Sequence, residues 1–285
     1  MSRIAYVNGA YIPQRSAAIH IEDRAHQLSD SVYEGVTIYK GKLIDLDPHF
    51  DRLWRSMGEL RITEPMGRAA MRLVLKELVR QNRIQNGFLY LQVSRGTAPR
   101  DHAFPDFAVP SFTATCKRLD VSGIEERANS GVRAITHPDI RWGRCDIKST
   151  ALLPNVLAKQ AAKEAGAFEA VLFDNDGYIT EGSSTNIWMV TKDGALHTRP
   201  TSDNILPGIT RMMVMKIAKS LNFEIIDEAF TVDEVYGASE VFLTSSTAGA
   251  VPIVTLDGKD IADGNVGPMS TALIEAYKIH LDSQI

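Results

Sequence analysis

The stretch Asp139-Ile-Arg-Trp-Gly-Arg-Cys-Asp-Ile-Lys148-Ser149 sets one lysine among two arginines and two aspartates. It follows a β-prone run, Val132 to Ile135, and precedes an amphipathic helical pattern, Leu153 to Ala165. Neighbouring cations and partial burial lower an amine's pKa from about 10.4 toward neutrality, and the free amine is the nucleophile toward a carbonyl. Taken alone, such a lysine reads more readily as a solvated surface charge, as most lysines are. What the rest of the chain supplies decides between the two.

The 285 residues are 44% hydrophobic and 23% charged, the composition of a soluble globular protein of one large or two ordinary domains. A formal net charge of −4 gives no reason to expect nucleic acid or an anionic membrane as partner. Uninterrupted apolar runs are a few residues long, too short to span a bilayer, and the start of the chain lacks the apolar core of a signal peptide. Cys116 and Cys145 are the only cysteines; two in a chain this long make no disulfide framework, which fits a reducing cytoplasm. The seven histidines show no ligand-like pairing, so no metal site is expected.

Working outward, Ile4 to Ile12 reads as a hairpin turning at Asn8-Gly9, and Val36 to Asp45 as another turning at Lys40-Gly41. From Pro48 the period changes: Phe50, Leu53, Met57 and Leu60 mark one helix face, and Met71, Val74, Leu75, Leu78 and Val79 another. Phe88 to Val93 and part of Phe107 to Cys116 read as strands, separated by the Gly- and Pro-containing loop from Ser94 to His102. The polar run from Lys117 to Ser130 predicts a small N-terminal α/β domain over 1–120, an interdomain linker over 121–130 and a larger C-terminal domain over 131–285. In the latter, short strands are predicted at Phe168 to Phe173, Tyr178 to Thr180, Asn186 to Val190, Glu224 to Ile226 and Val241 to Thr244. Helices are predicted from Ile209 to Leu221 and from about Met269. Hairpins mixed with helices favour α+β over a purely parallel sheet.

Three further stretches carry candidate chemistry. Glu181-Gly-Ser-Ser-Thr-Asn186 places a carboxylate beside small and hydroxyl residues: an ordinary turn, or a partner for a cationic ring nitrogen with room for a flat ligand. Leu206-Pro-Gly-Ile-Thr210-Arg211 opens a helix, and helix N-termini attract anions. Thr244-Ser-Ser-Thr247-Ala-Gly249 follows a strand, and Arg52 is a cation on a helix. A lysine for a Schiff base, a carboxylate for a pyridine nitrogen, and an arginine with a helix N-terminus for a phosphate together suit pyridoxal 5′-phosphate.

On these residues the sequence resembles the class IV aminotransferases of pyridoxal-phosphate fold type IV, and within them the D-amino acid transaminases. The motifs run in family order: Val32-Tyr33-Glu34, His49-x-Asp-Arg52-Leu53, Arg95-Gly-Thr-x-Pro-Arg100-x-His102, the Asp139 to Lys148 stretch, Glu181-Gly-Ser-Ser-x-Asn186, Gly208-Ile-Thr-Arg211 and Thr244-Ser-x-Thr247. The resemblance implies a two-domain fold whose larger domain has a mixed, barrel-like sheet. It implies that Lys148 holds the cofactor and shuttles the α-proton. Arg52, Ile209, Thr210 and Ser246 would bind the phosphate, and Glu181 would pair with the pyridine nitrogen; Arg141 and Ser149 would support ring and lysine. Tyr33 with Arg100 and His102 would trap the substrate carboxylate, the latter two from the neighbouring subunit, which implies a homodimer. The implied reaction moves the amino group of a D-amino acid such as D-alanine to a 2-oxo acid such as 2-oxoglutarate by a ping-pong route.

One departure stands out. Tyr33-Glu34 is followed by Gly35-Val36, as in branched-chain L-aminotransferases, where a bulkier pair is usual in D-specific relatives; Gly35 would widen a pocket or relax a strand. A branched-chain L-amino acid aminotransferase is therefore an alternative, followed by aminodeoxychorismate lyase of the same fold, which the Arg100-x-His102 pair disfavours. A protein that only binds the cofactor would lack the lysine or the carboxylate, and both are present.

Overall fold

In the computed structural model, which describes residues 3–285, Asn8 and Gly9 adopt φ of 45° and 100°, as a type I′ turn requires. They close the hairpin of β1 (Ile4–Val7) and β2 (Ala10–Pro13). Lys40 and Gly41, also at positive φ, do the same for β3 (Ser31–Tyr39) and β4 (Lys42–Leu43). With β5 (Gly87–Ser94) and β6 (Ser111–Arg118) these form an antiparallel sheet of order β2-β1-β6-β5-β3-β4. Two helices predicted from the 3.6-residue period, α2 (Leu46–Glu59) and α3 (Arg68–Asn82), belong to the same unit. A short α1 (Arg24–Leu28), not predicted, is nucleated by Asp23, whose side chain accepts from the Ala25 amide.

The period-2 rows Val32, Val36, Ile38 and Leu89, Leu91, Val93 pack with Phe50, Leu53, Met57, Met71, Leu75 and Leu78 in one buried core. Each such side chain contributes about 1.5–3 kcal/mol of transfer free energy. Residues 147–151 belong to this unit rather than to their sequence neighbours, and Ile147 joins its core.

The second unit comprises 121–146 and 152–283. The segment 121–130, expected to be a linker, is helix α4 (Val121–Ser130) of this unit. Its buried face is only Gly123 and Ala128, with Arg127 stacked 5.3 Å from the Phe168 ring, so its sequence reads as polar throughout. After it come β7 (Val132–Pro138), α5 (Leu153–Glu164), β8 (Glu169–Phe173), β9 (Ile179–Gly182), β10 (Asn186–Val190) and β11 (Leu196–Thr198). Then follow α6 (Ile209–Ser220), β12 (Ile225–Ile226), α7 (Val232–Tyr236), β13 (Glu240–Ser245), β14 (Gly249–Leu256), β15 (Lys259–Asp260) and α8 (Pro268–Asp282). The sheet runs β12-β11-β10-β13-β14-β7-β8-β9, with β15 on β14. Three pairings are parallel, β11·β12, β14·β7 and β7·β8, and the rest antiparallel. The edge strand β9 approaches β10, so the mixed sheet curls toward a half-barrel. Among the described residues no helix is long and apolar enough to cross a membrane.

One carboxylate interrupts the apolar row on β3. Glu34 is fully buried and accepts from His49 Nδ1 at 2.7 Å and from Arg52 Nε and Nη2, both at 2.8 Å. Burial alone would raise its pKa, but Arg52 and His49 outweigh burial and hold it well below the ordinary carboxylate range. Such a group adds stability that is complete above its unfolded pKa of about 4.3 and is lost as pH falls toward the folded value. Glu34→Gln should therefore lower the unfolding free energy by about 3–5 kcal/mol at neutral pH, the range for breaking a buried pair, and flatten the acid limb of stability. Urea unfolding of both proteins from about pH 2 to pH 7 checks this; equal midpoints at neutral pH would count against it.

Candidate active site

Lys148 stands in a short segment that pairs with β3. The Tyr33 amide donates to the Lys148 carbonyl at 2.9 Å, the Thr150 amide to the Ser31 carbonyl at 3.1 Å, and Val32 bridges Ser149. Ser56 on α2 accepts from the Lys148 amide at 3.3 Å. With the backbone held on two sides, Lys148 Nζ lies 4.3 Å from the centroid of the Tyr33 ring. That ring is 5.5 Å from Tyr90, whose phenol burial, with Tyr33 nearby, pushes up to about 12. Tyr90 therefore stays a neutral donor and bonds Gln92, which bonds Ser31, which in turn bonds Thr150 beside the lysine, at 2.8, 3.1 and 2.6 Å.

The two arginines that precede Lys148 in sequence are matched to the two aspartates. Arg141 Nε donates to Asp139 at 2.9 Å and Arg144 Nε to Asp146 at 2.9 Å. The cationic neighbourhood expected from the sequence is thus a set of ion pairs within the second unit. Arg52 is buried, with two of its nitrogens on Glu34. Tyr33 and Glu34 are successive on β3 and so point to opposite faces.

Gly35 shares the face of Tyr33. A Cβ there would meet the Phe88 ring at 2.5 Å, so an aromatic from β5 fills the space a side chain would take. The glycine marks a close cross-strand contact, not an enlarged opening.

In the second unit, Glu181 is 5% exposed at the end of β9. One oxygen accepts from Arg141 Nη1, and the other from Asn186 Nδ2 at 3.0 Å and the Leu206 amide at 3.1 Å. Burial works against the Arg141 cation, but its bonds to Asp139 and the nearby Glu181 outweigh burial and raise its pKa. Asp139 is lowered: burial opposes its charge, and Arg141 and Thr180 more than offset that. Arg141 is therefore a fixed cation behind Glu181. Asn186 also donates to the Leu206 carbonyl at 3.0 Å, tying Glu181 to the turn before α6. A Cβ on Gly208 would fall 2.0 Å from Asn186 Oδ1, so the turn needs glycine there. Gly208 provides no side-chain cap for α6, which leaves the amides at Ile209 and Thr210 to be satisfied otherwise. Arg211, next in the motif, is a framework residue bonded to Thr198, the Arg199 carbonyl and Asp227.

Ser246 is half-buried in the turn joining β13 to β14, next to Thr244, which pairs with Asn186. Arg100 and His102 are exposed on the loop between β5 and β6. Among the described residues neither has a hydrogen-bond or ion-pair partner.

Glu169 went unnoticed in the sequence. Fully buried, it accepts from Ser183 Oγ and from Thr185 Oγ1 at 3.1 Å. The hydroxyl run after Glu181 thus packs on an internal carboxylate. The available signal was a charge inside the apolar strand Phe168-Glu-Ala-Val-Leu-Phe173.

The family model for amino-transferase class IV matches residues 31–256. A D-alanine aminotransferase of Bacillus licheniformis is 44% identical over 265 residues, 92% of each chain. That of Staphylococcus haemolyticus is 39% identical over 282 residues, 98% of each chain. Among solved structures, a T.th. branched-chain amino acid aminotransferase with pyridoxamine 5′-phosphate superposes with a TM-score of 0.90 at 29% identity. That superposition covers 100% of this chain and 96% of the other. The sequence motifs, the mixed curled sheet and these matches agree, and the chain belongs to the class IV aminotransferases.

Proposed function

We propose that this aminotransferase acts on D-amino acids, taking the amino group from a donor such as D-alanine and passing it to a 2-oxo acid such as 2-oxoglutarate in a ping-pong cycle. The observation that carries the reading is the likeness to D-alanine aminotransferases, at 39–44% identity over 92–98% of the chain. The cofactor, pyridoxal 5′-phosphate, supplies the electron sink that stabilises the carbanion left by the departing α-proton. The residues present fit it: an amine fixed beside an aromatic ring, a carboxylate fixed by three donors, and a helix N-terminus that no side chain caps.

Lys148 would carry the cofactor and, once released, move the α-proton. Its backbone bonds to β3 and Ser56 fix where the amine can reach. Glu181 would face the pyridine nitrogen and favour its protonated form, with Arg141 and Asn186 preventing the carboxylate from turning away. The Ile209 and Thr210 amides, Ser246 and Arg52 would hold the phosphate, Arg52 being oriented by Glu34. Tyr33, Arg100 and His102 would bind the substrate carboxylate; a guanidinium is a good bidentate partner for it. Arg100 and His102 would act across a homodimer interface. The exposed Leu153, Val156 and Leu157 on α5 form an apolar stripe at i, i+3 and i+4 that such an interface would cover. A reducing cytoplasm suits Cys116 and Cys145, both buried and unpaired.

The branched-chain L-aminotransferase reading is favoured by Gly35-Val36 and by the structural neighbour, and a half-reaction separates the two. D-alanine should bleach the visible band of the cofactor in a single turnover while L-leucine leaves it; the reverse would overturn the proposal. Lys148→Ala should abolish turnover with the far-ultraviolet circular dichroism unchanged, and retained turnover would remove Lys148 from the chemistry. Arg100→Ala should weaken substrate binding by about 2–5 kcal/mol, read as a higher Michaelis constant. A near-normal constant would rule out the carboxylate trap.

A further inference from the structure

The loop from Arg95 to Pro110 that displays Arg100 and His102 is tethered by charge. Asp30, just before β3, receives Arg95 Nε at 2.7 Å, Arg95 Nη2 at 2.9 Å and Arg24 Nε at 2.7 Å. Arg24 directs a second donor to the carbonyl of Asp101, at 2.7 Å, and Asp101 is the residue between Arg100 and His102. Arg95 uses its remaining reach on the carbonyls of Arg61 and Leu60, at 2.9 and 2.8 Å. Its guanidinium also carries the ring of Phe104 at 3.6 Å, with Arg61 4.9 Å from the same ring. The loop is thus pinned between the trap residues, at Asp101, and just after them, at Phe104. Its root is fixed by the Arg24 amide on the Gly96 carbonyl at 3.0 Å and by Gly96, where a Cβ would fall 1.9 Å from the Val109 carbonyl oxygen.

The chemistry of the cluster is directional. A buried ion network is often no more stable than an apolar replacement of the same shape, so burial of Arg24 and Arg95 on the partly buried Asp30 is poorly explained by stability. A guanidinium, with five N–H donors in a rigid planar fork, can hold Asp30 and a backbone carbonyl at once in a fixed geometry. Asp30 fits the part of hub: burial would raise its pKa, and the bonds from Arg95 and Arg24 more than offset burial and lower it.

We propose that Arg24, oriented by Asp30, and Phe104, stacked on Arg95, are positioning residues that fix the loop so that Arg100 and His102 meet the substrate carboxylate. This rests on the carboxylate-trap reading above. A pre-positioned loop meets its ordering cost on folding and not on substrate binding. The pins should therefore govern affinity for carboxylate-bearing ligands and leave amine chemistry at Lys148 alone.

The test uses cofactor-loaded full-length enzyme and two probes that react with the cofactor, aminooxyacetate, which has a carboxylate, and methoxyamine, which lacks one. Each is titrated by loss of the visible absorbance into wild type, Arg24→Met, Phe104→Ala, Arg100→Ala and the Arg24→Met/Arg100→Ala double variant, with thermal melts alongside. Arg24→Met and Phe104→Ala should each weaken aminooxyacetate by about tenfold and change methoxyamine by less than about twofold. The double variant should be no weaker than Arg100→Ala, because Arg24 acts through Arg100. Phe104 is 45% exposed, so its truncation carries the test even where Arg24→Met does not fold. Equal losses for both probes would mean a general structural role and overturn the proposal. An aminooxyacetate loss in Arg100→Ala with none in Arg24→Met or Phe104→Ala would overturn it and leave the trap standing. No loss in Arg100→Ala would overturn the trap and the proposal together.

Discussion

The pairing of residues 147–151 with β3 is the constraint on which the chemistry proposed for Lys148 depends. An amine on a free loop samples many rotamers, and lysine loses up to about 2 kcal/mol of side-chain entropy when fixed. Here the backbone is fixed first, by the Tyr33 amide, the Ser31 carbonyl and Ser56. The side chain then has an aromatic face, Tyr33, to lie against. The same strand carries Tyr33 on one face and Glu34 on the other, so the core that buries Glu34 also fixes the strand to which Lys148 is bound. Chemistry and packing share one element, and errors in the core would be felt at the amine.

Buried or partly buried carboxylates recur as organisers. Glu34 orients Arg52 and His49, Glu181 joins Arg141, Asn186 and the 206 amide, Glu169 anchors the Ser183 to Thr185 turn, and Asp30 gathers two arginines. Each carries a desolvation cost that only several donors offset. What that cost secures is orientation, since an acceptor bonded by two or three fixed donors cannot rotate. Glu34, Glu181 and Asp30 bear on residues proposed to hold cofactor or substrate.

Local signals made much of the fold legible. Asn8-Gly9 and Lys40-Gly41 announce hairpins because positive φ costs little at glycine and is tolerable at asparagine. The change from period 2 to period 3.6 after Pro48 announces α2. What was illegible is non-local. Nothing in the order Ile147-Lys148-Ser149 says that it leaves the surrounding unit to pair with β3. Helix α4 was hidden because its buried face holds only Gly123 and Ala128. Residue types single out Lys148 and Glu181 as candidates, yet the pairing of Arg141 and Arg144 with aspartates, and the burial of Glu169, depend on the chain bringing these residues together.

Gly35 shows how a sequence departure can mislead. A missing side chain suggests space, and space suggests larger substrates. The Phe88 ring lies where the Cβ would be, so the volume removed from β3 is returned by β5, one strand over. The space on that face is therefore a property of the pair, and residue 35 alone does not report it. Stereochemical choice is a separate matter, because in the proposed reading it depends on where the substrate carboxylate is held relative to Lys148, and the candidates for that task stand on the 95–110 loop. In that reading the two properties draw on different residues, so the resemblance to branched-chain enzymes at Gly35 and the resemblance to D-specific enzymes at Arg100 and His102 are compatible in one chain.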